Sequence, residues 1–147
     1  MEKALVVAKT FYNEYYNRFW EKMDEMKMHK LMYFVQRESL MFNKELLFKE
    51  DFYGWKFGPV LKSVRSEYMS GTPFDKVEGD ASLAAKQMVR QVMDRYAAMT
   101  SWRLSRLSHN EFSWKRSRNG LDASDNGDVK LDVNAMKVDA ARELSQR

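Results

Sequence analysis

Apolar residues recur at three- and four-residue spacing along most of this chain, and the pattern gives way to closely set aromatics in one place, Leu46 to Phe57. That recurrence marks helices with one buried face. It constrains the chain to a mainly α fold: a compact single-domain bundle of about six helices, with a short extended segment near 46–57. At 147 residues there is room for one ordinary domain. The spacing predicts a first helix over 2–22, with Leu5, Ala8, Tyr12, Tyr15 and Phe19 on its apolar face. Asp24 is placed to cap a second helix, and Met28, Leu31, Met32 and Val35 form that helix's inner stripe. Phe34 and Met41 lie on a neighbouring face, so this helix is expected at the centre.

Past Asn43 the character changes. Phe48, Phe52, Trp55 and Phe57 are separated by Lys49, Glu50 and Asp51, which suits an extended or irregular segment. Gly58 then breaks the chain, and Pro59 suits the first turn of a helix carrying Val60, Leu61, Val64 and Tyr68. Trp55 and Phe57 are expected to pin this corner into the core, since large aromatics dominate burial. Further helices are expected from Asp80 to Met99, from Thr100 through Leu107, as one turn near 112–118, and from Asp132 to about 145. Leu131 and Met136 are spaced as a hydrophobic staple for the last of these, and Val138, Ala140 and Leu144 supply its apolar positions. The unit is read as 1–120, with 121–147 a turn-rich connector and a C-terminal helix packed on the same domain.

The motifs of common catalytic chemistry do not occur. There is no cysteine, and there are two histidines, His29 and His109, without metal-ligand spacing. The six glycines never follow a phosphate-loop or dinucleotide pattern. No nucleophile elbow is present, and the acids of 121–128 miss the register of a calcium loop. The chain is therefore expected to be no enzyme and to need no cofactor or metal. His109 is the one residue with chemical potential, and a structural role at a helix end suits it better. Without a secretory leader or an apolar run long enough for a bilayer, a cytoplasmic location and no membrane partner are expected. Residues 103–118 hold Arg103, Arg106, Lys115, Arg116 and Arg118, with Trp102 and Trp114 interleaved. With His109, these basic groups are candidates for partner contact. The mix suits an acidic protein surface, where Arg and Trp serve as anchors. It also suits DNA backbone, or a merely solvated helix face.

Three stretches taken together carry a resemblance. They are KMHKLMYFVQ (27–36), DFYGWKFGPVLKSV (51–64) and LSRLSHNEFSW (104–114). In this order and spacing the chain resembles the Panacea, or SocA-like, antitoxin domain family, over about residues 4–118. The matching positions are Lys30, Leu31, Tyr33 and Phe34, then Trp55, Phe57, Gly58, Pro59 and Val60, then Leu107, Ser108, His109 and Trp114. Departures are His29 in place of a usual glutamine, Gly54 in place of alanine, and Ser113 in place of proline. The resemblance implies a mostly helical antitoxin that neutralises a cognate protein toxin by direct binding. It also implies, for one branch, delivery of the toxin to a ClpXP-type protease. A DNA-binding regulator using the basic 103–118 region is the alternative.

Overall fold

The second helix is the axis of the molecule. In the computed structural model, which describes residues 1–147, two helices come first, α1 (Ala4–Phe19) and α2 (Glu25–Phe42). The antiparallel strands β1 (Phe52–Trp55) and β2 (Gly58–Leu61) follow, and α3 (Lys62–Met69) runs directly on from β2. Then come α4 (Leu83–Tyr96), α5 (Ser101–His109), α6 (Phe112–Ser117) and α7 (Val133–Gln146). Lys27 to Met41 are all buried, 15 of the 18 residues of α2, because α1, α3, α4, α5, α7 and β2 all pack on it. Asp24 caps it as the sequence indicates, accepting a hydrogen bond from the Lys27 N–H at 2.8 Å.

Burying every face of α2 takes its polar side chains out of water, and each finds a partner. Gln36 donates to the Phe48 carbonyl at 2.8 Å and accepts from the Leu47 N–H at 2.7 Å, tying the segment before β1 to the axis. Lys27 donates to the carbonyl of Ala97 at 2.9 Å. The core around α2 is rich in Met and aromatic side chains. Met23, Met28, Met32, Met41 and Met93 pack with Phe11, Phe34, Phe48 and Phe52, and the Phe34 and Tyr96 rings stack at 4.3 Å.

The extended region is a hairpin and reaches further than the sequence suggests. Pro59 does not open a helix. It lies buried in β2 opposite Gly54, and the helix starts at Lys62. The only strand beside β2 is β1, so its missing N–H disrupts no second ladder. Phe57 is not a core residue either. It sits with Lys56 in the two-residue turn and is 60% exposed, because nothing packs beyond a hairpin tip. On the other side of β1, the Gly54 N–H donates to the Val129 carbonyl and the Leu131 N–H to the Phe52 carbonyl, so 129–131 runs as a short third rail.

Seven helices form rather than about six. α4 is capped by Ser82 instead of Asp80 and turns Ala85, Val89, Val92 and Tyr96 inward, leaving Leu83 exposed. α7 buries Ala135, Met136 and Ala140 against α2 and α6, while Val138 and Leu144 face outward.

Candidate functional site

The three motif stretches meet at the hairpin turn. From α2, the Lys30 ammonium donates to the Phe57 carbonyl. From α6, the Trp114 indole N–H donates to the Trp55 carbonyl at 2.8 Å. The His109 ring, at the end of α5, stacks on Trp114 with centroids 4.3 Å apart and planes 1° from parallel. Arg118 donates to the Gly54 carbonyl at 3.1 Å. Gly58 sits in the middle with φ at +125°, and a side chain there would meet Lys30 and the Ser108 hydroxyl. The turn is thus gripped from α2 and from α6 and the residue that ends it, with α5 backing Trp114 through His109.

Two departures from the family pattern fit this packing. A Cβ at Gly54 would run into the Ser117 hydroxyl. At Ser113 the backbone N–H donates to Asp139 at 2.9 Å, a bond proline could not make. His29 accepts from the Leu61 N–H through Nδ1 at 3.3 Å, which fixes the proton on Nε2, where it faces Glu25 at 3.0 Å. Burial pushes the His29 imidazole down, against the pull of Glu25. Burial also opposes ionisation of Glu25, yet hydrogen bonds from His29 and Arg65 outweigh it and hold that carboxyl below its ordinary range.

Beside the hairpin lies a groove of about 730 Å³, within the usual size range of ligand sites. Its walls come from the start of α2, the hairpin, α3 and residues 126–128. Lys30 lies at its inner edge, 2% exposed. Burial pushes the Lys30 ammonium down to about 8 from an ordinary 10.5. Between those values the unfolded chain holds a proton that the folded chain has released. Folding stability is therefore expected to rise with pH from about 8 to about 10.5, by up to about 3 kcal/mol. Urea unfolding across that range checks it: Lys30→Met should flatten the rise, and an unchanged slope would refute it.

The other predicted residues scatter. Arg103 and Arg106 on α5, and Lys115 and Arg116 on α6, are exposed. Arg118 differs from these in being buried. It is 6% exposed and spends its guanidinium on the carbonyls of Gly54, Asp122 and Asp125, holding the turn-rich connector in place. Leu31, Tyr33 and Phe34 are core, Val60 is buried with its edge on the groove, and Leu107 packs against the core from α5. The groove also takes in Met26, Lys56, Lys62, Arg65 and Asp128. Sequence reading missed these, and apart from the positions of Lys56 and Lys62 within the second motif no local signal points to them.

A second polar cluster joins α2, α6 and α7. The Tyr33 hydroxyl meets Glu111, Ser113 and Asp139 at 2.9–3.1 Å. Asp139 in turn accepts the N–H groups of Phe112 and Ser113. Arg37 pairs with Glu111 at 2.5 Å and donates to the Tyr96 hydroxyl. Arg147 grips Glu38 through both carboxylate oxygens. Burial raises the Glu111 carboxyl despite Arg37 beside it. These bonds fasten α6 and α7 to the axis.

The fold and site define a mainly α domain built around a buried central helix, with a clamped hairpin and a groove at its side. The family model described as "Antitoxin SocA-like, Panacea domain" matches residues 28–115, and the chain belongs to that family. The match begins inside α2 and ends in α6, so it takes in the whole clamp except Arg118. No curated protein and no solved structure matches the chain. No helix is long and apolar enough to cross a membrane.

Proposed function

We propose that this protein is the antitoxin of a bacterial or prophage toxin–antitoxin pair, working in the cytoplasm and neutralising its toxin by direct contact. Family membership carries the reading. The geometry supports it in one respect: polar side chains beside the hairpin turn inward and hold its backbone. Lys30, Trp114 and Arg118 each bind a backbone carbonyl of the hairpin, and Ser108 donates to the Ser105 carbonyl. The clamp leaves the Phe57 ring projecting at the rim of the groove. A rigid exposed aromatic is a common energetic anchor of protein interfaces. The same contact would serve delivery of the toxin to a ClpXP-type protease. Regulation through DNA draws support only from the exposed Arg103, Arg106, Lys115 and Arg116, and α2 has no free face to lay in a nucleic-acid groove.

Co-expression with the product of the adjacent gene tests the reading. The neighbour alone should arrest growth, and this protein should restore growth and co-purify with it. A harmless neighbour, or rescue without a complex, would count against neutralisation by contact. Phe57→Ala should leave the melting temperature within about 2 °C, as exposed truncations do, and weaken rescue.

A further inference from the structure

The charges along the groove are unevenly spent. Four basic side chains (Lys30, Lys56, Lys62 and Arg65) line it against two acids, Glu25 and Asp128. Both acids are fully engaged. Glu25 gives one oxygen to Arg65 at 2.6 Å and the other to His29. Asp128 gives one to the Trp55 indole N–H at 3.2 Å and the other to Lys62 at 3.0 Å. Lys30 and Lys56 have no carboxylate. Lys30 uses one of its three donors on the Phe57 carbonyl, and Lys56 lies over the Phe57 ring. A buried ammonium with donors left over is costly unless a counter-charge reaches it. Between the charges the wall is apolar, made by Met26, Trp55 and Val60.

We propose that the groove is the docking site for an acidic segment of the partner protein, with a carboxylate on Lys30 and Lys56 and an apolar neighbour against Met26, Trp55 and Val60. The inference rests on the reading above that the domain works by protein contact. A phosphate backbone fits less well, because it asks for an unbroken basic track, whereas here two acids and three apolar side chains interrupt the lysines.

The test uses the full chain and a synthetic probe. An acetylated, amidated hexapeptide of alternating Leu and Glu is titrated into the ¹⁵N-labelled protein, with its Leu–Gln counterpart as control. Amide shifts should concentrate in 25–30, 55–65 and 126–128, and the Gln peptide should bind at least tenfold more weakly. At pH 8 the Glu peptide should take up protons, since a carboxylate beside Lys30 favours its charged form. Lys30→Met should cut affinity about tenfold. Should that variant fail to fold, Lys56→Ser at the rim should still cut it at least threefold. Equal binding of both peptides, shifts elsewhere, or an unaffected Lys56→Ser would overturn the proposal. So would stronger shifts of the same amides by an oligothymidylate, which would reassign the groove to phosphate. A toxin that co-purifies while the Glu peptide does not bind sinks this inference alone. A missing toxin complex sinks the antitoxin reading and leaves the peptide result standing.

Discussion

Asp139→Ala is expected to cost about 3–5 kcal/mol of folding stability, the range seen when one partner of a buried charged cluster is removed. Asp139 is 2% exposed, accepts the N–H groups of Phe112 and Ser113, and competes with Glu111 for the single Tyr33 hydroxyl proton. Without the carboxylate the Phe112 and Ser113 N–H groups are left with no acceptor, and the hydrogen-bond tie from α7 to α6 is lost. Water cannot readily replace the lost oxygens, since Tyr33 is fully buried and Ser113 beside it likewise. Asp139→Asn keeps the shape and one acceptor oxygen, so it should cost roughly half as much. Urea unfolding of the two variants beside the parent checks the ordering. Equal losses would mean that the whole carboxylate is required and that its shape with one oxygen restores nothing, which would refute the ordering. Most small domains have only about 5–15 kcal/mol in hand, so the alanine variant should melt far lower.

Gly58→Ala should rank next, at about 2–4 kcal/mol, combining a positive φ with a collision. At +125° an L side chain is strained whatever the space, and here the space holds the Lys30 ammonium and the Ser108 hydroxyl. Gly71 separates the two causes. Its φ is +81° and a side chain there would meet nothing within 4 Å, so Gly71→Ala should cost about 1 kcal/mol, from backbone strain alone. If both alanines cost the same, the clamp around the turn is looser than its geometry indicates. Gly58→Ala should also perturb the groove, because Lys30 must move to admit the new methyl group.

What could be read in the sequence was mostly local or periodic. Asp24 and Thr100 cap helices because a side-chain oxygen two or three residues ahead of a free N–H is a local arrangement. The central place of α2 followed from apolar residues on more than one face. Pro59 misled because Gly-Pro is a local signal for a helix start, while β2 depends on pairing with β1. Phe57 misled because ring size suggests burial, yet a two-residue turn offers nothing to bury it against. Arg118 counted as one more base in a basic stretch. Its partners are carbonyls of 54, 122 and 125, which no count of charges can show. The motif residues were legible as a set through the family resemblance, but their convergence on one turn exists only in three dimensions. The groove was illegible for the same reason, since Met26, Lys62 and Asp128 are far apart along the chain and each is ordinary where it stands.

The burial of α2 on every side has a consequence for how the chain is made. Its covering helices come from both directions along the sequence, and one flank is closed only by residues 133–146. A ribosome that has released α1 to α4 has therefore exposed an apolar helix whose last wall is still inside the exit tunnel. During that interval Tyr33, Arg37 and Glu38 also lack Glu111, Asp139 and Arg147. A prematurely ended chain would present that flank as sticky surface to chaperones and proteases. The flank of α2 therefore closes only after residues 133–147 have emerged, whereas every residue that clamps the hairpin lies at or before Arg118.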